Sequence, residues 1–258
     1  MLPAVSCEEN LNQKKVKAMN SYGKTDIGLR RSSNQDTFAV SKLEGGEILC
    51  VVCDGMGGAK AGNVASERAC NAIQKFVNKS YRYNMDCNAA QSLLNNAIIS
   101  ANIEVYDHSL NNPEFRGMGT TVVAAIVAED YTVIAHLGDS RAYKIGDEIT
   151  QLTRDHSVVQ SLVESGKLTP EEARVHPRKN VITRALGIEE NVIPENSDCD
   201  LKTGEILLLC SDGLTNYVET SVIKSIVQST PIEEAARRLI DEANRNGGGD
   251  NITVALVY

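Results

Sequence analysis

No apolar run in this chain approaches the ~18 residues that a membrane-spanning helix requires. The opening MLPAVSCEEN lacks the basic-then-apolar layout of a secretory signal. Basic residues are in deficit, 26 Lys and Arg against 34 Asp and Glu for a net charge of −8, which argues against a surface for duplex nucleic acid. Neither G-x-x-x-x-G-K-[ST] nor a strand-borne G-x-G-x-x-G is present, so the usual nucleotide cradles are excluded. The seven cysteines are an odd number, and their one suggestive spacing, Cys50 and Cys53, has no second Cys or His pair to complete a zinc site. Three apart in a strand, those two point to opposite faces and read as small buried hydrophobes. A cytoplasmic protein without membrane or nucleic-acid partners is expected.

What is present is the composition of an ordinary soluble globular protein, 42% apolar and 23% charged over 258 residues, long enough for a large core. Residues 1–18 are polar and aperiodic and read as a disordered leader, with Met19 as an alternative start; residues 19–258 read as the folded domain. TFAVSKL (37–43) and EILCVVC (47–53) predict two strands joined at Glu44-Gly45-Gly46. Apolar residues at helical spacing predict helices over 61–76 and 89–110. Strands over 119–130, 131–140, 141–146 and 148–153 are expected as one antiparallel meander. Short helices at 156–166 and 170–176 lead into 178–187, and this polar stretch, 155–187, reads as a lid and not as core. A strand at 205–213, helices near 220–228 and 231–246 and a strand at 250–258 complete an α+β layered sandwich.

The chemistry lies at the strand ends. The apolar run EILCVVC stops at Asp54, followed by Gly55, Gly57 and Gly58, where the missing Cβ atoms let backbone approach whatever the carboxylate holds. AHLGDS supplies Asp139, LLLCSDG supplies Asp212, GGGDN supplies Asp250, and SSNQD supplies Asp36 just before a strand. Any one of these caps a turn well enough. Gathered at one edge they would repel strongly, because buried carboxylates cost several kcal/mol each without counter-charge. They need cations, and a donor set of Asp oxygens plus the Gly55 carbonyl selects hard ions, Mg²⁺, Mn²⁺ or Ca²⁺. Two such ions sharing the Asp54 bridge would acidify a water for attack on an electrophile. A phosphate substrate would also want a guanidinium, and Arg30 and Arg31 both stand near Asp36.

At this point the residues resemble the metal-dependent protein serine/threonine phosphatases of type 2C (PPM), in the bacterial single-domain form. The matching stretches are TDIGLRRSSNQD (25–36), VVCDGMGG (51–58), GMGTT (117–121), HLGDSRAY (136–143), LTRDHS (152–157), HPRKNVITRALG (176–187), LLLCSDGL (207–214) and GGDNITV (248–254), all in the family's order. The resemblance implies a four-layer αββα sandwich, two antiparallel sheets flanked by helix pairs, with 155–187 as a flap. It implies hydrolysis of phosphoserine and phosphothreonine in proteins by a hydroxide bridging two Mn²⁺ or Mg²⁺ ions, with a weaker third site, by a monomer opposing a cognate serine/threonine kinase. Arg31 would hold the substrate phosphate. Asp54 would bridge the metals, with the Gly55 carbonyl on one and Asp212 and Asp250 on the other, and Asp139 with Asp212 at the third. Asp36 would sit close to the metal-bound waters as an orienter or base, Asn251 would support Asp250, and Gln35 would stand with it behind the ligands.

Two departures stand out. Gln35 replaces a Glu common in eukaryotic members, and Met56 replaces the His proposed there as general acid, so the leaving group's proton must come from metal-bound water or elsewhere. His136 reads as core, His156 as a local hydrogen-bonding residue, and His108 and His176 as surface. A cysteine-based phosphatase is excluded, since no C-x₅-R exists. The rivals are a phosphoprotein-binding or sensing module on the same fold, catalytically weak, and a metal-dependent nuclease. The intact Asp54, Asp212 and Asp250 disfavour the first and the acidic surface the second.

Overall fold

The computed structural model describes residues 19–58 and 61–258, so the expected leader, 1–18, lies outside the described residues. In chain order the elements are β1 (Ser21–Asp26), β2 (Asp36–Lys42), β3 (Ile48–Met56), α1 (Ala61–Ser80), α2 (Cys87–Asn111), β4 (Gly119–Thr120), β5 (Val122–Val127) and β6 (Thr132–Leu137). Then follow β7 (Arg141–Ile145), β8 (Ile149–Gln151), α3 (Val158–Glu164), α4 (Pro170–Val175) and β9 (Glu195–Cys199). The chain ends with β10 (Ile206–Cys210), α5 (Asp212–Thr215), α6 (Thr220–Ser229), α7 (Ile232–Arg245) and β11 (Ile252–Val257). One antiparallel sheet runs β1-β11-β10-β7-β8 and the other β2-β3-β5-β6-β9, with β4 paired to the end of β3. Among the described residues no helix is long and apolar enough to cross a membrane.

Period-two alternation decides what each strand buries. In β3, Leu49, Val51 and Cys53 pack with α1 and α2, while Ile48, Cys50 and Val52 pack against the other sheet. In β10, Leu208 and Cys210 pack with α5, α6 and α7, while Leu207 and Leu209 face inward. The layers are therefore helix, sheet, sheet, helix, the α+β sandwich expected. Both faces being covered is why these strands read as unbroken apolar runs.

The inward files continue past their apolar part and turn polar at one edge. Two residues on from Val52 is Asp54; two before Phe38 is Asp36; two on from Leu209 is Ser211; two before Ala255 is Thr253. The register sets Asp36 directly opposite Asp54 across β2 and β3. Like charges facing each other across a ladder are destabilising.

Three expectations change. The meander is split between sheets: β5 and β6 belong to one, β7 and β8 to the other, and the chain crosses over at Gly138-Asp139-Ser140. Gly138 has φ +108°, and a Cβ there would lie 2.6 Å from Thr121 Cγ2, so only glycine fits the crossover. Strands β1 and β9 had no signal in the sequence because SYGKTD and ENSDC are half-exposed edge strands without an apolar file. The polar stretch 155–187 is not all surface: His156, Ser157, Ala185 and Leu186 are buried, the bridge Ser157–Ile182 closes the stretch on itself, and Thr120–Leu186 ties it to the body.

Candidate active site

The polar edge opens into a cleft of about 410 Å³ lined by Arg31, Asp54, Gly55, Asp139, Asp212 and Asp250, together with Gln35 and Asn251. Each is delivered by a different local device. Asp54 sits near the end of β3 with its backbone clamped: its N–H donates to Thr121 Oγ1 at 3.1 Å, and its carbonyl accepts from the Thr121 N–H and Thr120 Oγ1, both at 2.9 Å. A Cβ on Gly55 would fall 2.0 Å from the Gly62 carbonyl oxygen, so glycine lets the start of α1 close over the turn. Asp139 is carried by the sheet crossover. Asp212 opens the single turn of α5, where Asn216 Nδ2 donates to its Oδ2 at 2.9 Å.

Asn251 acts as a staple for the loop that carries Arg31. Its Oδ1 accepts the Gln35 N–H at 2.8 Å, and its Nδ2 donates to the carbonyls of Ile27 at 2.9 Å and Ser33 at 3.1 Å. Asp250 is steadied by the Asn251 backbone N–H at 2.8 Å rather than by the Asn251 side chain. Gln35 Nε2 donates to the Gly58 carbonyl at 2.8 Å, tying the same loop to the glycine turn. Arg31 donates from Nη2 to Asp250 Oδ2 at 2.7 Å with its side chain half exposed; Arg30 is exposed and does not line the cleft.

Asp36 heads β2 directly opposite Asp54. It lies behind Asp54 and outside the cleft lining, with Oδ2 accepting from Ser211 Oγ and Thr253 Oγ1, each at 2.7 Å. The reason is the inward file of β2, which points its first residue between the sheets. Sequence reasoning assigned no role to Thr121, Ser211, Thr253 or the cleft-lining Asn180. GMGTT was visible as a motif, but nothing local tells that Thr121 clamps a residue 67 positions away.

The electrostatics ask for cations. Burial and then repulsion push three of the cleft carboxyls above the ordinary carboxylate range: Asp54 through Asp36 and Asp212, Asp139 through Asp212 and Asp155, Asp212 through Asp250. Asp36 rises by burial against the lowering pull of Ser211 and Thr253. Oδ1 of Asp36 and Oδ1 of Asp212 are buried without a hydrogen-bond partner. Arg141 offers some relief to Asp139 and Asp212, but its guanidinium is committed to Asp155 through bonds of 2.8 and 2.6 Å. Orphaned carboxylate oxygens in a cleft lined by Asp54, Asp139, Asp212 and Asp250, with no His or Cys among its walls, fit hard divalent ions.

A second group has metal-like spacing, with donor atoms of His136, His156 and Glu195 within 4.8 Å of one another. Its hydrogen bonds commit it elsewhere. The Gly138 N–H donates to His156 Nδ1 at 3.1 Å, so the proton sits on Nε2, which donates to Glu195 Oε2 at 3.0 Å. Arg154 and Arg184 lie 3.9 and 3.8 Å from that same carboxylate oxygen and oppose a cation. His156 instead pins Gly138, the residue before Asp139. His156→Ala is expected to lower folding stability by about 1–3 kcal/mol, because the buried Gly138 amide loses its acceptor, as a urea titration would read.

The sequence profile of protein phosphatase 2C matches residues 29–248. The serine/threonine phosphatase stp of Listeria monocytogenes serotype 4b is 39% identical over 241 residues, covering 93% of this chain and 95% of that protein. The crystal structure of serine/threonine phosphatase Stp1 from Staphylococcus aureus superposes with a TM-score of 0.89 at 38% identity, covering 94% of this chain and 95% of that one. The catalytic domain of serine threonine protein phosphatase PstP in complex with 2 manganese ions superposes with a TM-score of 0.82 at 34% identity, covering 93% and 97%. With the acidic edge of the sandwich, the profile over most of the chain and relatives matched nearly end to end, this chain belongs to the protein phosphatase 2C family.

Proposed function

We propose that this serine/threonine phosphatase hydrolyses phosphoserine and phosphothreonine in proteins directly, without a covalent enzyme intermediate, and so opposes a serine/threonine kinase. The observation that carries the reading is the cleft itself, where Asp54, Asp139, Asp212 and Asp250 converge beside Arg31 with too little positive charge to balance them. Asp54, the Gly55 carbonyl, Asp212 and Asp250 would hold two Mn²⁺ or Mg²⁺ ions, and Asp139 with Asp212 a third. When bound, such ions would acidify a water to give a hydroxide nucleophile and would neutralise charge on the phosphoryl oxygens.

The chain's own residues do the rest. Arg31 binds the substrate phosphate; its guanidinium rests on Asp250 and is half exposed at the cleft, so it is already aimed inward. Thr120 and Thr121 fix the Asp54 backbone, and Asn251 fixes the loop that carries Arg31. Asp36, braced by Ser211 and Thr253, adds negative charge behind Asp54 and strengthens cation binding. The Met56 thioether carries no acidic proton, so the proton for the departing serine or threonine oxygen comes from water or from another group. Asn180 and Ile182 bring residues 155–187 over the cleft as a flap.

The test is turnover of a phosphothreonine peptide with Mn²⁺, then with EDTA. Activity that survives chelation discards the mechanism, and a metal-binding chain with no turnover favours the docking module. Arg31→Ala is expected to lower kcat/KM about 10–100-fold, from ~1.5–3 kcal/mol for a charge-assisted bond, with partial recovery in Arg31→Lys.

A further inference from the structure

Beside the catalytic cleft lies a second cavity of about 300 Å³, and Met56 and Ile182 belong to the walls of both. Its other walls include the buried Leu137 and the aliphatic Ile188, Val192 and Ile193. Ile188 is 44% and Ile193 79% exposed, so large apolar side chains stand uncovered next to an acidic site. This is also where Met56 acquires a use. The absence of a side chain at Gly119 lets Met56 and Ile188 close in, since a Cβ there would lie 2.9 Å from Met56 Cε and 2.8 Å from Ile188 Cδ1.

The walls are pre-set. Buried Asn102 donates from Nδ2 to the Glu189 and Glu190 carbonyls, each at 3.0 Å, and accepts the Gly187 N–H at 2.8 Å. Arg184 also lines the cavity, but its guanidinium is held by the Ile193 carbonyl and lies 3.8 Å from Glu195, so it does not make a second phosphate site. Glu189 lines the cavity as well, and the wall formed by Met56, Leu137, Ile182, Ile188, Val192 and Ile193 is apolar; Met is the residue that moulds to varied apolar shapes.

We propose that this groove binds an aliphatic side chain of the substrate within about three residues of the phosphorylated one, making the enzyme selective for phosphopeptides with Leu, Ile or Val there. The inference rests on the phosphatase reading above. With the phosphoryl group in the cleft, an extended peptide advances roughly 3.3 Å per residue, so its neighbours must cross the surface that adjoins Met56 and Ile182. Burying a leucine rather than an alanine side chain there favours the complex by hydrophobic transfer, on the order of 10-fold in specificity.

The experiment uses the full chain with Mn²⁺ and phosphothreonine peptides carrying Leu, Ala or Asp at one flanking position at a time. kcat/KM and, separately, affinity by fluorescence anisotropy are compared for wild type, Ile188→Asp and Ile193→Asp, with p-nitrophenyl phosphate as a substrate too small to reach the groove. Expected is a roughly 10-fold preference for Leu over Ala at one position, lost in the variants, with p-nitrophenyl phosphate turnover unchanged. Equal values for Leu and Ala at every position, or a preference that persists in both variants, overturns the groove. Tighter binding of Leu peptides without any hydrolysis keeps the groove and sinks the phosphatase reading. A concentration-dependent dimer that Ile188→Asp dissociates, with peptide ranking untouched, assigns the groove to a second copy and overturns the proposal.

Discussion

Asp54→Asn is expected to reduce turnover by about 10³-fold or more while raising the melting temperature of the metal-free protein. The two effects share one cause. Asp54 faces Asp36 across the ladder and feels Asp212, Asp139 and Asp250 as well, so burial and repulsion hold its carboxyl well above the usual range. An amide of the same shape removes one negative charge from that set and relieves the cost in the folded state. For a chain of this size ~1 kcal/mol corresponds to roughly 2–4 °C, and a rise of at least that size is expected at neutral pH. Below about pH 4 the gain vanishes, because the carboxyl is then protonated in folded and unfolded chain alike. Activity is expected to fall because, on the proposed reading, Asp54 is a ligand of the catalytic ions, and several kcal/mol of lost transition-state stabilisation is about 10³-fold. Melting in EDTA together with peptide turnover in Mn²⁺ checks both halves. A metal-free Asp54→Asn protein that melts below wild type at neutral pH would show that the carboxylates do not strain the fold. Stability given up for a reactive site is the usual trade.

The second large effect is a reversal of the pH dependence of stability by metal. In the metal-free protein Asp212 is pushed up to about 6, Asp36 to about 7 and Asp139 to about 8, each first by burial. The unfolded chain titrates near the ordinary value, about 3.9. Since these pKa values are raised on folding, the folded state binds more protons; its contribution is fully present below the unfolded value and is lost as pH climbs through the folded ones. The EDTA-treated protein should therefore lose stability between about pH 4 and pH 8, each tenfold difference in proton affinity between folded and unfolded chain being worth ~1.4 kcal/mol at a site. Divalent ions bind the deprotonated ligands, so the stabilisation by Mn²⁺ should grow over the same window, reaching on the order of 10 °C. Melting curves at saturating Mn²⁺ and in EDTA, taken in steps across that range, separate the cases. An Mn²⁺ effect that shrinks as pH rises contradicts carboxylate ligation.

Much of this was legible in the chain because chemistry and secondary structure share a local signature. An apolar run that halts at Asp-Gly marks both Asp54 and Asp212, and GGDN before the last strand marks Asp250. The helices announced themselves by periodicity, and the runs of β3, β5 and β10 by being apolar on both faces. Strands β1 and β9 left no such trace, since a half-exposed edge strand needs no apolar file. Nor did the break between β6 and β7: a turn within one sheet and a crossover between two look alike as Gly-Asp-Ser. Only the crossover carries Asp139 to the cleft.

By itself, then, the sequence determined which residues carry charge at strand ends, a donor set of oxygens alone, and an α+β layered sandwich. The tertiary structure decided what depends on contacts between distant segments: Arg31 resting on Asp250 219 positions away, Asp36 bonded to Ser211 and Thr253, and Met56 standing between the acidic cleft and a second, aliphatic cavity. The reason is physical. Periodicity and turn chemistry act over a few residues, whereas the direction of a side chain at a sheet edge is set by which strand lies opposite and which sheet covers it.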